Sequence, residues 1–221
     1  MKSVRRKITF FLVSLLAFLA ITAPVYAADG WTQLQNQANQ VANLARAMGL
    51  PEDNPIIKEA SRIWWEEAVR LNREAEERQE REAACEAFLQ EHEADAVAMA
   101  HVMYCEARGL DAREMSMVSW CILNRLDSGR FGSTITGIIT ARGQFAYNAR
   151  SKTVSDNGTD LVWLAKDVLS RWYREKQGEA EIGRTLPQGF CFYYGNGRHN
   201  YFRLTNSGSG AYNFGLPNPY E

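Results

Sequence analysis

Glu106 stands at the end of an apolar stretch, where its neighbours and its spacing suggest proton chemistry. The segment Met103-Tyr104-Cys105-Glu106-Ala107-Arg108-Gly109 follows the run Ala94-Asp95-Ala96-Val97-Ala98-Met99-Ala100. On a helix, Glu106 shares one face with Met99, Val102 and Met103. It therefore continues a stripe expected to point inward. It also falls in the last helical turn, where free carbonyls disfavour an anion. Burial and helix-end position should both raise its pKa. A carboxylic acid kept protonated near neutral pH is what general-acid catalysis needs. The competing reading is an ordinary glutamate paired with Arg108 or another arginine.

Other chemistries find less support. His92-Glu93 begins an H-E-x-x-H pattern, but the fifth position is Ala96. His92, His101 and His199 lack metal-ligand spacing, so no metal site is expected. Neither C-x-x-C nor G-x-S-x-G occurs, and no cofactor motif is present. A cysteine-peptidase reading would use Cys105 with His101 or His199, but a thiol beside an acid is poorly activated. Asn157-Gly158-Thr159 is a glycosylation sequon by pattern only. Of the other acids from residue 95 onward, Asp111 and Glu114 have the spacing of a capping box. Asp160 also reads as a cap. Asp156, in a loop, is the one loose candidate for a second catalytic carboxylate.

Several elements must position Glu106. The spacing predicts a helix over Asp95–Ala107, ended by Gly109 as a C′ residue. A second helix follows the Asp111 cap, carries Val118, Cys121, Ile122 and Leu126 on one face, and stops at Asp127-Ser128-Gly129. A short helix is expected over residues 133–139. Another follows Thr159 or Asp160, with Leu161, Leu164, Val168, Leu169 and Trp172 in register. Phe190–Tyr194 and Tyr201–Leu204, joined by Gly195-Asn196-Gly197-Arg198, form a hairpin candidate. Upstream, a long helix is expected from Pro55 to about Gln90. Its apolar stripe fades after Leu71, and residues 66–82 carry eleven charged side chains. Glu66–Arg70, Glu74–Arg78 and Glu77–Arg81 have the favourable i,i+4 order. Before it, residues 28–50 are polar, with Leu34, Val41, Leu44 and Met48 near helical spacing and Gly49-Leu50-Pro51 as punctuation.

The 221 residues divide electrostatically into three parts. Residues 1–27 hold four basic side chains and no acid; residues 28–93 are strongly acidic; the remainder is near neutral. No basic patch of nucleic-acid strength is present. Residues 1–27 have the pattern of a signal peptide: a basic start, an apolar run from Ile8 to Thr22, and cleavage after Ala27. An uncleaved anchor is the alternative, though the run is short for a bilayer. Either way the expectation is an exported protein, extracellular or cell-wall associated. The domain expectation is a signal peptide at 1–27, an acidic helical stalk or spacer at 28–93 and a catalytic domain at 94–221. The four cysteines, Cys85, Cys105, Cys121 and Cys191, allow three disulfide pairings, and sequence does not choose among them.

Tyr104-Cys105-Glu106-Ala107-Arg108-Gly109, then Leu123-Asn124-Arg125, Gly143-Gln144-Phe145 and Phe192-Tyr193-Tyr194, together resemble the SleB-type cell wall hydrolase family. These are the catalytic domains of spore cortex-lytic enzymes and related wall hydrolases. The resemblance covers roughly residues 94–204. It implies a lysozyme-like fold, mainly α with a small β-hairpin, and cleavage between N-acetylmuramic acid and N-acetylglucosamine in peptidoglycan. It also implies that Glu106 is the catalytic acid. Two departures stand out: Cys105 replaces the alanine frequent before that glutamate, and an acidic helical segment stands where a peptidoglycan-binding repeat would. The second favours a vegetative or accessory wall enzyme.

The shortage of a second acid fits a lytic transglycosylase, in which the sugar's own 6-hydroxyl closes a 1,6-anhydro ring and proximity replaces the second carboxylate. Gln144 can hydrogen-bond sugar hydroxyls or acetamides, and Phe145 can stack on a sugar face. Phe145-Ala146-Tyr147-Asn148-Ala149 resembles a stretch of other lytic transglycosylases. Tyr193, Tyr194, Asn196, His199, Asn200 and Tyr201 form an aromatic and amide-rich patch suited to carbohydrate. The expected substrate-binding residues are Gln144, Phe145, Tyr147, Tyr194 and Asn200. The expected partner is the glycan strand, with the helical segment available as an arm for a protein partner. A non-catalytic wall-binding module using the same cleft is the alternative.

Overall fold

The computed structural model describes residues 40, 43–45, 47–51, 53–147 and 155–221. The segment expected to be a signal peptide, Leu34, Val41 and the Asn148-Ala149 pair lie outside these residues. The chain divides into two compact units between Arg81 and Glu82.

In the first unit, Gly49 takes a left-handed φ of 66°, and the Leu50 N–H reaches back to the Ala45 carbonyl at 3.1 Å. That is a glycine-terminated helix end. Helix α1 (Pro55–Glu91) begins with proline, whose missing N–H costs nothing at the first position. Its ion pairs differ from the expected set. Arg62 bridges Glu59 and Glu66 at 2.7 and 2.6 Å, and Arg70 bridges Glu67 and Glu74. A guanidinium fork can engage carboxylates one turn before and one turn after it. Glu66 and Glu74 are therefore drawn to these arginines instead of the expected Arg70 and Arg78. Glu77–Arg81 does form, at 4.0 Å. Such exposed pairs add little to stability, because water and salt screen them and ordering two long side chains offsets the attraction. No helix among the described residues is long and apolar enough to cross a membrane.

The second unit begins at Glu82. In it, the last turns of α1 pack on the helices that follow. Phe88 stacks on Tyr173 with centroids 4.6 Å apart, and Cys85 Sγ lies 3.3 Å from Ser170 Oγ. His92, with φ −97° and ψ 21°, separates α1 from α2 (Glu93–Ala107). Gly109 is left-handed as expected, at φ 83°. Helix α3 (Ala112–Ser128) follows the Asp111 cap and ends at Gly129, φ 63°. The sequence predicts one buried face for α3, yet every residue from Glu114 to Arg125 is buried. It is the central helix, and it packs against α2, α4 (Ile135–Thr140) and α5 (Leu161–Lys176). Its polar members survive inside because several are hydrogen-bonded. Ser116 Oγ sits 2.7 Å from Thr185 Oγ1, and Asn124 donates to the Pro187 and Phe190 carbonyls.

Two small antiparallel pairs complete a mainly helical fold. Strands β1 (Ser155–Asp156) and β2 (Thr159–Asp160) turn at Asn157-Gly158, both with positive φ, 48° and 77°. Such an Asn-Gly pair is a strong hairpin signal. The Asp160 side chain then caps α5, accepting from the Val162 and Trp163 N–H groups at 2.9 and 3.0 Å. Strands β3 (Phe192–Gly195) and β4 (Asn200–Arg203) pair with Tyr193 opposite Phe202 and Tyr194 opposite Tyr201. This is the expected hairpin, shortened at its outer ends. The tail returns over the domain: Arg113 donates to Asn213 Oδ1 and the Leu216 carbonyl at 3.2 Å, and the Tyr220 hydroxyl donates to Asp167 at 2.9 Å.

All four cysteines are free, and only Cys105 is exposed. Burial pushes the Cys121 thiol up to about 12 and raises Cys191 as well. A thiol-reactive chromophore at pH 8 should therefore modify one thiol quickly in the native protein and the others only on unfolding. Cys105→Ser should remove the fast phase. A fast phase of two or more thiols would contradict this burial.

Candidate active site

Glu106 lies in the last turn of α2, half-buried, with residues from three other segments around it. The Ala146 N–H donates to its carboxylate, and the Tyr193 phenol on β3 faces it. The backbone is held too, since Asn200 Nδ2 on β4 donates to the Glu106 carbonyl at 2.9 Å. That bond satisfies one of the free carbonyls of the helix end. The carboxylate thus sits between a loop amide and a phenol. Arg108, the expected competitor for it, lies instead over the Tyr104 ring, 5.6 Å from its centroid.

Tyr193 packs against the core beside Phe202, 5.2 Å away between centroids. Burial, and then the facing Glu106 carboxylate, push its phenol well above the ordinary range. Tyr193 is therefore a neutral donor across the physiological range. The sign follows: the folded state holds this proton more tightly than the unfolded chain, so stability is intact below about pH 10 and falls as pH rises beyond it. Tyr193→Phe removes only the hydroxyl. The turnover rate should drop about tenfold, within the range of a single well-placed donor, with little loss of folding. Activity equal to wild type would show that the phenol does not act on Glu106.

The loop that supplies Ala146 is fixed from beneath by Arg125. Its Nη1 donates to Gln144 Oε1 at 2.9 Å and to the Gln144 carbonyl at 3.2 Å. Its Nε donates to the Cys191 carbonyl at 2.7 Å. The guanidinium also lies 4.2 Å over the Phe145 ring and 5.1 Å over Phe131. Next to it, Asn124 Oδ1 accepts from Arg184, which forms a two-pronged pair with Glu175 and covers Trp120 at 4.1 Å. The Leu123-Asn124-Arg125 motif thus ties the Gln144 loop and the start of β3 to the central helix.

The structure brings these residues together but gives them different surroundings. Gln144 and Phe145 are half-buried, with the Gln144 side chain engaged by Arg125. Tyr147 is half-buried beside His101, 6.3 Å between centroids. Tyr194 is 42% exposed and stacks on Tyr201 at 5.3 Å, on the hairpin face opposite Tyr193. Asn200 is buried and occupied with the Glu106 backbone. Asp156, the loose second acid, accepts from the Gly109 N–H. Only half of the capping box forms. The Glu114 N–H donates to Asp111 at 2.8 Å, but the Glu114 side chain goes inward to His199, 2.6 Å away. His199 also stacks on Tyr212 at 4.0 Å. Sequence reasoning misses Tyr212 because it lies beyond the hairpin, in the returning tail.

A helical domain that sets one half-buried carboxylate beside a backbone donor and a neutral phenol has an arrangement suited to proton transfer. Residues 109–204 match the family model described as Cell Wall Hydrolase. Over this stretch the domain is similar to the cell wall hydrolases, a likeness that supports an enzyme acting on the cell wall. The match begins just after Glu106 and includes Asn124, Arg125, Gln144, Phe145, Tyr193, Tyr194 and Asn200. No curated protein and no solved structure matches the chain.

Proposed function

We propose that this is an exported lytic transglycosylase that cleaves the bond between N-acetylmuramic acid and N-acetylglucosamine in peptidoglycan, with Glu106 as its single acid/base. The observation that carries this reading is the half-buried Glu106 carboxylate accepting from the Ala146 N–H and facing the neutral Tyr193 phenol. Other acids of the domain are engaged elsewhere: Glu114 with His199, Asp156 with the Gly109 N–H, Asp167 with Arg171, Glu175 with Arg184. In the reaction, protonated Glu106 gives its proton to the glycosidic oxygen, and the bond from that oxygen to the muramic C1 breaks. The Glu106 carboxylate then takes the proton of the muramic 6-hydroxyl as that oxygen bonds to C1. The acid is regenerated and no water is consumed. Tyr193 and the Ala146 amide orient the carboxylate and stabilise it while it is charged.

Mass spectrometry of fragments released from purified walls tests the chemistry. Anhydromuramic ends support this reading. Reducing muramic ends would assign hydrolysis by water, and reducing glucosamine ends would move the cut to the other glycosidic bond. The basic, apolar N-terminus supports export. Fractionating cells that express the full chain tests it: the processed protein should accumulate outside the cytoplasm.

A further inference from the structure

Glu114 is a carboxylate with a side chain only 9% accessible, on the first turn of α3. Burying a carboxylate is costly unless its lone pairs are filled. The positive end of α3 favours it there, and two donors reach it from the β3–β4 hairpin. His199 Nδ1 lies 2.6 Å from Oε1, and the Asn200 N–H points to Oε2 at 3.4 Å. The same Asn200 sends its side-chain amide to the Glu106 carbonyl. The opposite strand of that hairpin carries Tyr193, whose phenol faces the Glu106 carboxylate. The hairpin's own turn is stiffened where Asn196 Oδ1 accepts from the Arg198 and His199 N–H groups at 2.9 and 2.8 Å.

We infer that Glu114 is a positioning residue for Glu106: it clamps the β3–β4 hairpin to the head of α3, so that one strand fixes the acid's backbone and the other its carboxylate. This rests on the reading of Glu106 as the acid. A local capping role would end at Asp111, whereas the observed contacts run from Glu114 through Asn200 to Glu106. A shift of the hairpin by a fraction of an ångström would move both restraints on the acid together, and misalignment on this scale is expensive in rate.

The test compares Glu114→Gln, Asn200→Ala and the double variant in the full chain, using soluble glycan fragments to obtain kcat and KM, with thermal unfolding of each. The glutamine side chain keeps the volume and one acceptor but loses the charge that holds both donors. We expect kcat to fall about tenfold in each single variant, KM to stay within about twofold, and the double variant to be little worse than Asn200→Ala alone. The Tyr193 phenol, followed by ultraviolet titration, should ionise at lower pH in Glu114→Gln, because a loosened hairpin exposes it. A lowered unfolding temperature with unchanged kcat and unchanged Tyr193 titration would reduce Glu114 to a structural role and overturn the inference. So would a rise in KM alone, or losses that multiply in the double variant. If Glu114→Gln does not fold, His199→Gln, at the more exposed end of the pair, should show the same kcat loss and the same phenol shift. An inactive Glu106→Gln beside normal Glu114 variants rejects only this inference, while an active Glu106→Gln rejects the reading beneath it.

Discussion

Glu106→Gln should lower the rate of muropeptide release from isolated walls by about 10²- to 10⁴-fold, the range of a positioned general acid. Wall binding and the unfolding temperature should stay close to wild type. Glutamine has the same shape, and its Oε1 can still accept from the Ala146 N–H while facing Tyr193. What it lacks is a proton for the glycosidic oxygen. Stability and binding therefore separate from chemistry at this position, which makes the variant a clean probe. A thiol mechanism predicts the reverse pattern, with Cys105→Ala inactive and Glu106→Gln active. Release at the normal rate from Glu106→Gln would falsify the assignment of the acid. Loss of binding together with activity would instead make Glu106 a ligand contact.

The largest stability effect is expected at Arg125. Arg125→Met leaves the Cys191 carbonyl, the Gln144 carbonyl and Gln144 Oε1 without their donor in a largely dry setting. It also strips the cation from the faces of Phe145 and Phe131. Each unsatisfied buried acceptor costs about 1–3 kcal/mol, so the total should reach about 3–5 kcal/mol. For a chain of this size that is a fall in unfolding temperature of roughly 10 °C, measurable by circular dichroism. Lysine should restore little, because one ammonium cannot span the acceptors the guanidinium fork reaches. Activity should fall beyond the folded fraction, since the loop that Arg125 holds carries the Ala146 N–H onto Glu106. A shift below about 2 °C would mean these bonds are replaced by solvent.

The helices are legible in the sequence because their caps and stripes are local. Asp111, Gly129, Thr134 and Asp160 each sit where a short-range rule puts them. The β3–β4 hairpin is legible from its aromatic runs. The β1–β2 turn is not, because Asn157-Gly158-Thr159 reads first as a glycosylation pattern, and its strands are only two residues long. The burial of α3 on all sides is also hidden. Ser116, Ser119, Asn124 and Arg125 look solvent-facing until their distant surroundings are known. Glu106 stands out by its place on the apolar stripe, but the residues that surround its carboxylate do not. Glu114 fits a capping box so well that its inward turn to His199 leaves no trace in the sequence. Asn200 suits sugar because amides suit sugars, and the structure instead gives its side chain to the Glu106 backbone. Local spacing reveals which residues start an element, and long-range pairing decides what their side chains then do.

The separation between Glu106 and its restraints also bears on the order in which the molecule folds. Ala146 lies 40 positions after the acid and Asn200 94 positions after it. Closing chain loops of that length is slow compared with forming α2 or α3, which need only local contacts. In refolding, helical signal should therefore return before enzymatic activity, with the hairpin's arrival on α3 as the step that completes the acid's surroundings. With Glu106 as the proposed acid, its surroundings are complete only once the fold is nearly finished, and partly folded molecules should be inactive by topology alone.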